Sequence, residues 1–65
     1  MANELMVEKY QQGWTRIKVL DSRVNLTVSP RGLIYISRAV WPKELPGVRA
    51  ALKLAEKIAK ERQSG

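Results

Sequence analysis

The stretch GWTRIKVLDSRVNLTV, residues 13–28, decides the fold of this chain. Two runs rich in β-branched residues flank Asp21-Ser22, and apolar and polar side chains alternate in each run. Because successive side chains of a strand point to opposite faces, the alternation predicts two strands, residues 14–20 and 23–29. Asp favours a tight turn between them, since its carboxylate accepts hydrogen bonds from nearby backbone. The stretch therefore predicts an antiparallel hairpin with one apolar face.

The flanking segments extend this hairpin into a larger sheet followed by a helix. Residues 4–10, ELMVEKY, suit an edge strand but equally suit a frayed end. After the turn signal SPRG, the β-propensity of residues 33–41, LIYISRAVW, predicts a further strand that Pro42 ends. Pro46 suits a first helical turn, and apolar residues then recur at helical spacing. This pattern predicts a helix over about 46–62.

These elements predict an α+β fold. A three- to four-stranded antiparallel sheet, about residues 5–41, is followed by one C-terminal helix packed on one sheet face. The chain is expected to form a single domain, residues 1–65, with residues 1–4 frayed. A chain of this length buries about 60% of its unfolded surface, so its core is small. The predicted core is Thr15, Ile17, Val19, Val24, Leu26, Val28, Ile34 and Ile36 from the sheet with Val48, Leu52, Ala55, Ile58 and Ala59 from the helix.

Composition narrows the class of function. The chain contains no Cys and no His, so a disulfide is impossible and a structural zinc site is not expected. No metal or other cofactor is predicted. No positioned acid or base, thiol nucleophile or glycine-rich phosphate loop is evident, so the chain is not expected to be an enzyme. A signal peptide and a membrane-spanning run are also lacking, which predicts a cytoplasmic protein with no membrane partner.

The charge balance points to a polyanionic partner. Twelve Lys and Arg residues against six Asp and Glu residues give a net charge of +6. Seven of the bases but only one acid fall between residues 9 and 43, which predicts that the surplus lies on the sheet. A basic surface attracts nucleic acid first, and acidic membranes or proteins second.

The four aromatic residues fall outside the predicted aliphatic core. Alternation places Trp14, Tyr35 and Trp41, with cations and small polar groups, on the sheet face opposite the helix, and Tyr10 is expected to cover the sheet end. Lys and Arg neutralise phosphates, rings stack on unpaired bases, and Asn, Ser and Thr donate to phosphate or sugar. The predicted nucleic-acid-binding residues are Trp14, Arg16, Lys18, Arg23, Asn25, Thr27, Tyr35, Ser37 and Trp41, with Tyr10, Arg31 and Lys43 as secondary contacts.

A second interpretation of the aromatic residues is a protein interface. Trp14 and Trp41 also suit a homodimer contact, since aromatic residues and Arg are enriched in interfaces. Leu33 and Ala39 make the predicted front face rather apolar for a nucleic-acid groove. The alternative function is therefore a protein-interaction subunit of a transcription or ribonucleoprotein complex. The residues leave open DNA or RNA, a single or a double strand, and a monomer or a dimer.

Two further features have open interpretations. Arg38 falls on the helix side of the last predicted strand, where it either extends past the helix or marks a bulge. The helix carries a basic row, Arg49, Lys53 and Lys57, at i,i+4 spacing. Such a row is either a solvated face or a secondary phosphate contact.

Two segments resemble known single-strand-binding domains. LIYISRAVW, residues 33–41, is similar to a Leu-Ile-x-Ile strand followed by Trp in domains of the transcriptional positive cofactor four type and their Whirly relatives. GWTRIKV, residues 13–19, resembles the aromatic strand that precedes it. The family has a strand between its Trp and its helix, which this chain lacks. Small size, positive charge and absence of Cys also resemble the DNA-binding chromatin proteins of thermophilic archaea.

These resemblances imply a function and a location. They imply binding of DNA rather than RNA on the sheet, with little sequence preference, and association with the nucleoid. For the cofactor type, they also imply a homodimer. The residues that the resemblance would place against DNA are Trp14, Arg16, Lys18, Tyr35 and Trp41.

Overall fold

The computed structural model describes residues 4–64 and confirms the α+β fold. Four strands form one antiparallel sheet in the order β1-β2-β3-β4, and one C-terminal helix, α1, packs on it. A 3₁₀ turn at 11–13 joins β1 to β2, and another at 42–44 leads into the helix. The elements are β1 (Leu5–Lys9), β2 (Thr15–Val19), β3 (Val24–Val28), β4 (Ile34–Ile36) and α1 (Leu45–Ser64).

The start of the chain joins the sheet as an edge strand. Of the two interpretations of residues 4–10, the edge strand is therefore correct. The frayed start predicted for residues 1–4 lies outside the described residues except at Glu4. The carbonyl oxygen of Glu4 accepts a hydrogen bond from the N–H of Leu20 at 3.1 Å.

The β2–β3 hairpin supplies the centre of the core. Its six inward side chains are at most 1% exposed, and Ile17 lies directly opposite Leu26. The loop has four residues, 20–23, rather than the two expected. Arg23 closes it in the left-handed region at φ 57°, with its N–H donating to the carbonyl of Val19 at 2.9 Å. Hairpin loops of four residues are most often built around a type I turn, and here a residue in the left-handed region returns the chain to the next strand.

The helix lies over β2 and β3 and is held there by small side chains. Val48, Ala51, Ala55 and Ala59 are buried against the sheet, and short alanines allow the two layers to approach closely. Burial of a Val-sized side chain contributes about 1.5 kcal/mol or more to folding. On the edge strands, Leu5 and Ile34 pack against the core and are partly buried, whereas Ile36 on β4 is 45% exposed, so its predicted place in the core is wrong.

Arg62 fastens the C-terminal end of the helix to the sheet. Its guanidinium donates to the carbonyl oxygens of Val28 and Ser29, at 3.1 and 2.9 Å, and to the hydroxyl of Thr15 at 2.7 Å. Gly32 lies close by at φ 94°, where a Cβ would come within 3.0 Å of the carbonyl oxygen of Ala59. The helix end therefore packs directly on the turn between β3 and β4.

The last strand is much shorter than expected. It ends at Ile36 instead of residue 41, and the chain bends at 37–38. Arg38 explains the departure, since its guanidinium donates to the carbonyl of Ser22 at 2.8 Å and to both carboxylate oxygens of Glu44. Arg38 thus neither extends past the helix nor marks a bulge. It draws the chain off the sheet edge toward the β2–β3 loop.

Candidate nucleic-acid interface

Among the described residues, no helix or strand packs on the sheet surface that faces away from α1, and we call this surface the open face. Cross-strand pairing arranges its side chains in two rows. Ser37 extends the second row beyond β4, because its N–H and hydroxyl both bond to the backbone of Asn25, at 2.9 and 3.1 Å. The rows are Glu8–Arg16–Thr27–Tyr35 and Met6–Lys18–Asn25–Ser37.

Two exposed aromatic rings lie together at one end of the open face. The ring centroids of Trp14 and Tyr35 are 6.2 Å apart, with the planes tilted by 33°. Trp14 is 37% exposed and Tyr35 is 50% exposed, so each ring is accessible to solvent. Offset and tilted arrangements at this separation suit aromatic quadrupoles.

A third ring completes this end of the face. The guanidinium carbon of Arg16 lies 4.9 Å from the ring centroid of Tyr10, which is within cation–π distance. Tyr10, Trp14, Arg16 and Thr27 line an open hollow of about 570 Å³ together with Lys9 and Gln11. Rings, a cation and a hydroxyl group therefore converge on one concave surface.

The 3₁₀ turn at 11–13 sets the position of Trp14. Gln12 and Gly13 both have positive φ, at 65° and 88°, which reverses the chain between β1 and β2. The N–H of Tyr10 donates to the carbonyl of Trp14 at 2.7 Å, so the two aromatic residues stay opposite each other. A residue with a Cβ is rarely stable at the φ of Gly13, which makes this glycine important for the turn.

An acidic residue lies among the cations of the open face. The Glu8 carboxylate is 3.3 Å from the Lys18 ammonium and accepts a hydrogen bond from the Tyr10 hydroxyl at 2.5 Å. The Tyr10 hydrogen bond, followed by that of Lys18, lowers the pKa of Glu8, and the same carboxylate raises the pKa of Tyr10. Sequence reasoning missed this contact, although the alternation already placed Glu8 beside Met6 on one face.

Most of the predicted site residues come together. Arg23 lies at the loop end of the face and lines a shallow hollow with Lys18 and Asn25. Tyr10, predicted as a secondary contact, lies with the rings. The predicted residues that lie on the open face or at its ends are Tyr10, Trp14, Arg16, Lys18, Arg23, Asn25, Thr27, Tyr35 and Ser37.

Three predicted residues lie in the connections after β3 and β4 rather than in the two rows or at their ends. Trp41 is 68% exposed but follows the bend after β4, so the period-two alternation does not carry it onto the open face. Lys43 lies in the 3₁₀ turn at 42–44, which directly follows Trp41. Trp41 and Lys43 line a separate hollow with Pro42. Arg31 lies in the turn between β3 and β4.

The basic surplus is spread more widely than expected. Of the seven bases between residues 9 and 43, Arg16, Lys18 and Arg23 lie on or beside the open face. Lys9 lines the hollow beside Tyr10, although its pairing with Thr15 is a helix-side position of the edge strand, and Arg38 is paired with Glu44. The positive charge of the open face is therefore local and modest.

Within residues 4–64, no group of three or more Asp and Glu side chains is placed to hold a metal ion. No helix in that range is long and apolar enough to span a membrane. No protein-family model, curated protein or solved structure matches the chain.

Proposed function

We propose that the chain binds nucleic acid, DNA in preference to RNA, through the open face. The observation that carries the proposal is the pair of exposed rings, Trp14 and Tyr35, beside the cations Arg16 and Lys18 on a sheet surface that no element within residues 4–64 covers. Exposed rings next to cations are the usual chemistry of single-strand recognition.

The geometry favours an unpaired strand. A base stacks only on a ring whose face is accessible, and bases in a duplex are already stacked on one another. Trp14 and Tyr35 offer two such rings 6.2 Å apart, while Arg16 and Lys18 lie on β2, the strand that begins directly after Trp14, where they can neutralise phosphates. A double strand remains a second ligand, since a basic sheet with an exposed ring also suits a bent duplex.

The polar groups of the open face favour binding with little sequence preference. Asn25 and Thr27 lie at the centre of the two rows and donate equally well to phosphate or sugar oxygens. Sequence readout needs bidentate pairs aimed at base edges, and ring stacking accepts every base. The proposed role is therefore to coat or protect DNA in the nucleoid.

A tryptophan titration tests the proposal. The variant Trp41→Phe leaves Trp14 as the single indole, so its emission reports the open face alone. Oligothymidine should quench this emission, and a matched duplex and an RNA strand of equal length should bind more weakly. The logarithm of the affinity should fall against the logarithm of salt concentration by about 0.7 for each phosphate neutralised.

A charge on the far side of the molecule supplies the matched control. Lys18→Ala removes a cation from the open face, whereas Lys53→Ala removes one from an exposed position of α1. We expect Lys18→Ala to weaken binding more and to reduce the salt slope. Equal losses from both variants, or no quenching of Trp14 at low salt, would contradict the proposal. Absent quenching together with capture of a protein partner would favour the alternative, an interaction subunit.

A further inference from the structure

The two free edges of the sheet differ in chemistry. The edge strand β1 is flanked or occupied by Glu4, Glu8 and Lys9, and charged residues of this kind protect an edge from pairing. The opposite edge strand, β4, lies within residues 33–37, which carry no charge. Leu33 and Ile36 there are 56% and 45% exposed. The β4 edge is therefore uncharged and carries exposed apolar side chains.

The hydrogen bonds of β4 show which backbone groups remain available at this edge. The N–H of Ser37 donates to the carbonyl of Asn25 on β3, and the carbonyl of Leu33 accepts from the N–H of Ser29. The backbone N–H and C=O groups of residues 33 and 37 therefore point toward β3. Because the backbone N–H and C=O groups point alternately to the two sides of an antiparallel strand, those of Tyr35 also point toward β3. The N–H and C=O groups of Ile34 and Ile36 must then point outward.

We propose that β4 pairs with β4 of a second copy, antiparallel and centred on Tyr35. In this register Ile34 of each copy lies opposite Ile36 of the other. Ile34 of one copy and Ile36 of the other then exchange two N–H···O=C bonds through their outward backbone groups. Such hydrogen-bonded pairs, separated by one pair without hydrogen bonds, are what an antiparallel ladder requires. A two-fold axis at Tyr35 makes this edge complementary to itself.

The side chains also support a second copy as the occupant. Ile34 and Ile36 share the helix side of the sheet, where Ile36 is uncovered in the single chain. Pairing brings each Ile36 against Ile34 of the second copy, which buries apolar surface on both. Because residues 33–37 carry no charge, two copies of this edge can meet without repulsion between like charges.

The consequence for binding rests on the proposed function. Two four-stranded sheets would become one eight-stranded sheet, and the two Tyr35 rings would lie side by side on the joined open faces. Each Trp14–Tyr35 pair would then lie next to its symmetry mate, doubling the stacking surface for one nucleic-acid strand. A strand that spans both copies would gain affinity from the second contact without any new chemistry.

Proline substitutions at the two edges test the pairing. Ile36→Pro removes an outward N–H that makes no bond within the chain, so the single chain should keep its fold. Val7→Pro is the matched control, because Val7 is equally exposed and also lies on the helix side. At the two ends of β1, the N–H of Tyr10 and the carbonyl of Glu4 bond to residues next to β2, so the backbone groups of even-numbered residues point into the sheet. The N–H of Val7, at an odd-numbered position, therefore points outward, like that of Ile36.

Light scattering without nucleic acid should give twice the 7.4 kDa chain mass for the natural protein and for Val7→Pro. Ile36→Pro should give the mass of one chain, with an unchanged circular dichroism spectrum. If Ile36→Pro unfolds, Ile36→Lys tests the same edge with a charge instead. A natural protein of single-chain mass at high concentration, or a dimer that survives both substitutions, would overturn the pairing.

Binding measurements separate this proposal from the proposed function. Ile36→Pro should lose on the order of tenfold affinity for a long single strand, but none for an oligonucleotide that covers one copy. A dimer that binds no nucleic acid would overturn the function and leave the pairing intact. A protein of single-chain mass whose Trp14 emission is quenched by oligothymidine would overturn the pairing and support the proposed function.

Discussion

Strands β2 and β3 have two faces that the same alternation of residues builds for different purposes. On the helix side, the inward side chains are aliphatic except for Thr15 and are almost wholly buried. On the open face, Arg16, Lys18, Asn25 and Thr27 are only half-buried, and rings lie at one end. Folding accounts for the first face, since apolar burial drives it. It does not account for exposed rings on the second, and that difference identifies the candidate site.

Substitution of a central core residue should break the helix side first. Leu26→Ala removes a fully buried side chain opposite Ile17, so we expect a loss of about 2–5 kcal/mol in the free energy of unfolding. Urea denaturation followed by circular dichroism measures it. Thr27→Ala, one residue along on the open face, should change the free energy far less. Similar losses from both would contradict the assignment of the faces.

Substitution of a ring should have the opposite effect. Tyr35→Ala removes a half-exposed ring from the Trp14 pair, so single-strand binding should weaken by about 1–3 kcal/mol, the usual contribution of one stacked base. Titration of the Trp41→Phe background measures it, and urea denaturation should show that the fold persists. Tyr35→Phe is the control, because it keeps the ring and should keep most of the affinity. An unchanged affinity of Tyr35→Ala would argue against stacking.

Removal of the acidic residue on the open face should sharpen the contrast by strengthening binding. Glu8→Gln takes away the charge that holds Lys18 at 3.3 Å, while its amide oxygen still accepts from Tyr10. We expect a few-fold higher affinity for oligothymidine at low salt and a smaller gain at high salt. Glu56→Gln on the exposed surface of α1 is the control. A Glu8→Gln variant that binds more weakly would show that Glu8 contributes to the site.

The smallest expected effect is a change of stability in acid. Hydrogen bonds from Arg38 and from the Trp41 N–H lower the pKa of Glu44 from 4.5 to about 2 in the folded chain. Because the folded pKa is the lower one, the stabilisation is present above pH 4.5 and is lost as the pH falls toward 2. Thermal melts over this range should show the loss, and Arg38→Ala should make it shallower. An identical pH profile in Arg38→Ala would rule out the ion pair as its cause.

The sequence was most informative where structure depends on neighbouring residues. The alternation in residues 13–28 is a local property of the chain, and it predicted the hairpin, its buried face and the cationic open face. The helix also followed from its spacing and was correct to within two residues at its end. Local alternation, however, says nothing about where pairing stops.

The wrong position predicted for Trp41 has one physical cause. Trp41 was assigned to the open face because β-propensity continues through residues 37–41. The strand ends earlier because Arg38 bonds to Ser22, sixteen residues away, and to Glu44. Contacts between distant segments override local propensity, and no pattern in the segment itself announces them. The loop of 20–23 was similarly misjudged by two residues.

The amino-acid order by itself determined that one side of the sheet is aliphatic and that the rings fall elsewhere, because side chains of a strand must alternate. The tertiary structure decided which rings meet, since it brought Tyr35 beside Trp14 across two strands and left Trp41 in the connection to the helix. It also placed Glu8 against Lys18 and fastened Arg62 to Thr15. These contacts join residues on different elements, and only the packing of those elements fixes the distances between them.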